Sequence, residues 1–182
     1  MLKLFEKYDK AISILVLIGA IGLSVGIFFI PLDPADLAKY GYIGVFVITL
    51  LGAATLFIPG PTMIATFAVG ALLNPLTVSL VAGLGSALGE TTGYAAGYAS
   101  RAVITPMERK DAWYQRILRW MSSHPFLTIF LLDAIPNFLG DIAGLIAGRN
   151  RYSYLKFLMA SFLGKTIRFS ISAYLGHFIL PK

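Results

Sequence analysis

Hydrophobic positions in this chain form long runs, separated by short stretches rich in proline, glycine and charge. Residues 11–30 (AISILVLIGAIGLSVGIFFI) are uncharged throughout. At about 1.5 Å per residue they rise about 30 Å, the thickness of a bilayer's hydrocarbon core, and so predict a transmembrane helix. A cleaved leader is the alternative, but the run exceeds the usual apolar length of about 7–15 residues and no A-x-A site follows. Pro31, Asp33, Pro34, Asp36 and Lys39 make a polar loop that completes an N-terminal unit, 1–40.

A second run, 41–58, stops at Pro59-Gly60-Pro61, which cannot continue a helix. The run from Thr62 to 73 would rise only about 18 Å before Asn74-Pro75 breaks the chain again. Residues 41–73 therefore read as a re-entrant hairpin, and 76–100 as a spanning helix. Together they make a first unit, 41–100. Residues 125–148 repeat the pattern, with breaks at Pro136-Asn137 and Gly140, and predict a second hairpin. A spanning helix, 153–180, follows and completes a second unit, 125–182.

Between the units, 101–124 mixes Arg101, Arg109, Lys110, Arg116 and Arg119 with Trp113, Tyr114, Ile117, Trp120 and Met121. Its apolar residues share a helical face, which predicts an interfacial amphipathic helix. The alternative is a connecting helix whose aromatic face packs on the protein.

Composition agrees. Hydrophobic residues make up 57% of the chain and charged ones 13%, against about 25% in a soluble domain. That excludes an ordinary soluble enzyme and a typical nucleic-acid-binding domain. The absence of cysteine excludes disulfides and thiolate metal sites. With the N-terminus in the cytoplasm, segments 1–10, 101–124 and 149–156 lie inside and hold 11 of the 15 Lys and Arg. Only Lys39 and Lys182 fall outside, as the positive-inside rule requires. The expectation is an all-α, multi-pass cell-membrane protein with its C-terminus outside.

The two units share an order of landmarks. Ile58-Pro59-Gly60, Gly70, Glu90 and Gly97 match Ile135-Pro136-Asn137, Gly148, Arg168 and Gly176 at separations of 77 to 79 residues. The first hairpin enters from outside and the second from inside, an inverted repeat of the kind found in secondary transporters. The alternative is two hairpins that merely look alike.

Glu90 and Arg168 stand at matching landmarks within apolar helices, where an ionisable residue is costly unless it is paired or hydrated. They are expected to face each other or to share a polar cavity; a structural ion pair is the bland alternative. Lys165 lies on the same helical face as Arg168, and the two could hold an anionic headgroup. Asp141 is placed to cap a half-helix. Asp133 falls near a helix C-terminus, where the dipole disfavours a carboxylate, so it is the more suggestive of the two. Either could change protonation. Tyr94 follows Glu90 by one turn and is expected on the same face. Gly85, Gly89, Gly93 and Gly97 form a small-residue stripe, read as packing within the fold. No catalytic motif, cofactor loop or metal-ligand cluster is present, so no enzyme and no cofactor are expected. The partners expected are membrane lipids and not nucleic acid, with a homo-oligomer left open.

Several motifs in order resemble the DedA superfamily, also called the VTT or SNARE-associated Golgi protein domain. They are Phe57-Ile58-Pro59-Gly60-Pro61, then Gly89-Glu90, Gly93-Tyr94 and Gly97, then Ile135-Pro136, Gly140-Asp141, Ala147-Gly148, Gly164-Lys165 and Arg168. The later stretch is most similar to the YqaA-like branch. The resemblance covers about residues 40–178. It implies an inverted repeat of re-entrant hairpins and a role in lipid transport between leaflets, as a flippase or scramblase. For bacterial members it implies recycling of a polyprenyl phosphate carrier, driven by protons. Thr55 and Thr62 stand where an acidic residue commonly accompanies the first Pro-Gly motif, and Asp133 and Leu139 stand where arginines usually flank the second proline. A proton-coupling carboxylate would then be Glu90, Asp133 or Asp141. An ion- or small-solute-coupled carrier and a non-transporting membrane organiser are the alternatives.

Overall fold

The computed structural model describes residues 40–54, 60–100, 112–135 and 140–180. The expected N-terminal helix at 11–30, residues 101–111, and the hairpin breaks Pro59, Pro136 and Asn137 lie outside these residues. Every regular element described is an α-helix, so the all-α expectation holds. In chain order they are α1 (Gly41–Ala54), α2 (Gly60–Leu72), α3 (Pro75–Gly89), α4 (Thr91–Ser100), α5 (Ala112–Ser123), α6 (Pro125–Ala134), α7 (Gly140–Arg149) and α8 (Tyr154–Ile179).

Each hairpin segment contains two helices. Their arms have 14 and 13 residues in the first and 10 each in the second, so each rises only about 15–21 Å. The second arms begin at Gly60 and Gly140, slightly before the expected starts. Local chemistry fixes the turn after α2. The Asn74 side-chain oxygen accepts from the N–H groups of Leu76 and Thr77 at 3.0 and 3.2 Å, and Pro75 fills the first helical position. After α7 the chain closes with Arg151 in the left-handed region at φ 52°. There Arg151 N–H donates to Gly148 O and Tyr152 N–H to Ala147 O, both at 3.0 Å.

The expected single helix over 76–100 is divided at Glu90. Glu90 keeps a helical backbone, φ −65° and ψ −11°. The Thr92 hydroxyl donates at 3.0 Å both to Gly89 O, three residues back, and to Ala54 O at the end of α1. A hydroxyl inserted at this point competes for a helix carbonyl. The last helix, by contrast, is continuous for 26 residues.

The arms cross over. α1 packs on α3, but its hairpin partner α2 packs on α8. Likewise α6 packs on α8, while α7 packs on α4. Each hairpin thus straddles its own long helix and the other unit's. Close contacts repeat with the same exchange. A Cβ on Gly70 would strike the Ala173 carbonyl, and one on Gly176 the Phe67 carbonyl. A Cβ on Gly148 would strike the Tyr94 carbonyl, and one on Gly97 the Leu145 carbonyl. These positions superpose at separations of 78 residues for the second arms and 79 for the long helices. The first arms follow at 84: Gly85 meets Phe46, Thr49 and Leu50, while Gly164 meets Phe130, Asp133 and Ala134.

Two cores follow the same relation. Val45, Val69 and Val78 are buried in one, and Ile129, Ala147 and Phe157 occupy the matching places in the other. The internal repeat is therefore a repeat of contacts. The glycine stripe serves packing within the fold, since Gly85 and Gly89 press on α1 and Gly97 on α7.

α5 covers part of the middle segment. Its Ile117 and Met121 are buried in the core with Ile129 and Phe157. Arg116, Arg119 and Trp120 remain exposed. No helix among the described residues is both long and apolar enough to cross a membrane. α3 and α4 are each short, and α8 carries Lys165 and Arg168.

Candidate functional site

The division at Glu90 sets its carboxylate against α7 and α8. Its Oε1 accepts from Gly144 N–H at 2.9 Å, and its Oε2 accepts from the Ser161 hydroxyl at 2.6 Å. Gly144 permits the first bond, since a Cβ there would press on the Glu90 side chain. Lys165, one turn beyond Ser161 on α8, brings its Nζ within 3.2 Å of Glu90 Oε2 and 3.1 Å of Asp133 Oδ1. Asp133 comes from the end of α6, alongside Gly164. None of these three charged side chains is more than 3% exposed. Neither oxygen of Asp133 accepts an aligned hydrogen bond among the described residues, so its charge is met chiefly by the ammonium.

The cluster therefore holds two carboxylates against one ammonium, drawn from the α3–α4 junction, α6 and α8. Moving charges out of water is costly, and the cost is met only by close pairing and added donors. Glu90 has both. Asp133 has the pairing alone and is the less satisfied acid.

Arg168 does not pair with Glu90 among the described residues. The contact repeat explains why: at a separation of 79, Glu90 matches Phe169, and Arg168 matches Gly89. The landmark spacing was one residue out of register, about 100° around a helix. Arg168 is itself 5% exposed, and its Nε donates to no acceptor among the described residues. Lys165, which could have reached toward an interface, is buried instead.

Tyr94 belongs to a different feature. Its hydroxyl donates to Tyr152 O at 2.6 Å, and its ring stacks on Phe157 at 5.0 Å and meets Tyr154 edge-on at 5.5 Å. Asp141 is the second residue of α7. Gly60, Pro61 and Gly140 begin their helices. The structure thus brings together Glu90, Asp133 and Lys165. It adds Ser161 and Gly144, which sequence reading missed. A signal for Ser161 existed, since it precedes Lys165 by four residues on one helical face. Gly144 could not have been found, because its part is a backbone N–H.

No curated protein and no solved structure matches the chain. The family model for the VTT domain matches residues 58–178, which include the cluster and both second hairpin arms. With the repeat, the crossed hairpins and that match together, the chain belongs to the VTT-domain family, the DedA superfamily that its motifs resemble.

Proposed function

We propose that this protein is a multi-pass membrane transporter that moves an anionic lipid, a phospholipid or a polyprenyl phosphate, between leaflets. One observation carries the reading. Four ionisable side chains, Glu90, Asp133, Lys165 and Arg168, lie buried on otherwise apolar helices. Such residues within a membrane mark substrate or ion pathways by default. Crossed hairpins in an inverted repeat supply the matching architecture, with a site where the repeats meet. Family membership supports a membrane setting. The N-terminus is cytoplasmic, 41–73 and 125–148 are re-entrant, and 76–100 and 153–180 cross. The 26 residues of α8 rise about 39 Å, the length of one crossing, with Lys156 near its start and Lys165 and Arg168 within it.

Topology is checked by single cysteines, since the chain has none. Gly41→Cys and Asn74→Cys are expected to label from the same, outer side. Labelling from opposite sides would remove the re-entrant hairpin.

Activity is checked in liposomes with fluorescent lipids, with and without a pH gradient. Anionic lipid is expected to move faster than neutral lipid. Arg168 carries the headgroup part of the reading. A guanidinium grips phosphate with two parallel bonds, whereas an ammonium acts as a point charge. Arg168→Lys is therefore expected to weaken binding of a short-chain anionic phospholipid about tenfold or more, the scale of one charge-assisted hydrogen bond. Equal binding by the variant, or equal binding of a neutral lipid, would sink the phosphate site.

A second reading rests on Glu90, whose carboxylate is buried and has a partner for each oxygen. That is what a non-transporting membrane organiser would require of it. Liposomes that show no movement of any lipid while the fold stays intact would favour that reading.

A further inference from the structure

The contact repeat allows each half of the molecule to be compared with the other, residue for residue. In one half, Glu90, Ser161, Lys165, Asp133 and the Gly144 N–H make the charge cluster. In the other half the matching positions are Phe169, Ala82, Ser86, Thr49 and Thr66. All are buried and none is charged. Thr49 and Thr66 donate to carbonyls of their own helices, at 2.8 and 3.0 Å. The bonds from α8 to α2 are neutral: Thr66 to the Ser172 hydroxyl at 3.3 Å, and Ser172 to Met63 O at 2.8 Å.

The ends of the two halves differ in the same sense. Where α4 meets the turn after α7, Tyr94 bonds Tyr152 O and the Arg151 guanidinium covers the Tyr98 ring at 5.2 Å. At the other end, Ala173 stands in place of Tyr94 and His177 in place of Tyr98. There a cavity of about 400 Å³ opens, lined by Ala71 to Pro75 and His177.

We propose that Glu90 and Lys165 form a latch holding α7 against α4 and α8, so that this half stays closed and the α2–α8 half is the one that yields. Glu90 is a positioning residue: it grips the backbone of α7 through Gly144 and is itself held by Ser161 and Lys165. Asp133 ties α6 to the same ammonium. Among the described residues, the α2 arm meets α8 through the neutral hydroxyl bonds of Thr66 and Ser172 and borders the open cavity. In an inverted repeat, an opening of one half answers to a closing of the other. An asymmetry in charged contacts therefore fixes which state is the resting one. The inference deepens the transporter reading and rests on it, but it makes a separate measurement.

Ala147 on α7 and Val69 on α2 are both buried and occupy matching places. In the full-length protein in liposomes, Val69→Cys is expected to react with a small thiol reagent at least about tenfold faster than Ala147→Cys, because the latched arm opens more rarely. Adding Glu90→Gln is expected to speed the reaction at Ala147→Cys at least about tenfold and to leave Val69→Cys within about twofold. Equal reactivity without the change, no gain at Ala147→Cys, or an equal gain at both positions overturns the latch. If Glu90→Gln does not fold, amide exchange on the unaltered protein decides: α7 slower than α2 supports the latch, and equal rates overturn it. Lipid movement is read in parallel. A selective gain at Ala147→Cys with no lipid movement keeps the latch and removes the transporter. Lipid movement with no selective gain does the reverse.

Discussion

Lys165→Met is expected to cost about 3–5 kcal/mol of stability, because it removes the ammonium that both buried carboxylates pair with. Glu90→Gln should cost less. It leaves Lys165 and Asp133 as a balanced pair. The changes must also interact. Glu90→Gln and Asp133→Asn, added to Lys165→Met, remove the charges that it strands, so the triple variant should be more stable than the single one. Denaturation of the purified protein in detergent, followed by helix signal, reads all four. Strict additivity would show that the three side chains do not act as a unit, since coupled residues give interaction energies of about 0.5–3 kcal/mol.

The glycines that seat the crossed arms give the second large effect. At Gly97 and Gly176 a Cβ would overlap a carbonyl oxygen of the facing helix, Leu145 in one case and Phe67 in the other. The overlap is with backbone, which cannot rotate away. Overpacking a tight site typically costs about 1–3 kcal/mol and sometimes more. Leucine here must push two helices apart, so Gly97→Leu and Gly176→Leu are each expected to cost about 3 kcal/mol or more. The loss of stability should be similar at the two sites, because the contacts are related by the internal repeat. A harmless change at one and a destructive change at the other would break the proposed equivalence.

Both expectations concern features that had different visibility in the sequence. Proline and glycine marked helix starts: Gly60 and Pro61 begin α2, and Asn74-Pro75 makes the turn that its cap chemistry foretells. These are local signals, set by what a residue does to its own backbone. Glu90, Asp133 and Lys165 were legible as costly residues on apolar helices, one by one. Their partnership was not. The spacing of landmarks matched Glu90 with Arg168, yet the helices pair Glu90 with Lys165 and leave Arg168 outside the cluster. An error of one residue in register turns a side chain through about 100°, enough to exchange one neighbour for another.

The all-α class and the types of residue that must find partners follow from the chain alone. Apolar run length, proline and charge cost are properties of the chain and need no fold to express them. Tertiary packing settled that each hairpin's second arm crosses to the other unit. It also decided that the long helix divides at Glu90, and that a bare glycine N–H on α7 completes the acid's bonding. Those outcomes depend on how closely two backbones approach. That distance is set by glycines meeting carbonyls some fifty to a hundred residues away, at Gly97 and Leu145 and at Gly70 and Ala173, and no local pattern encodes it.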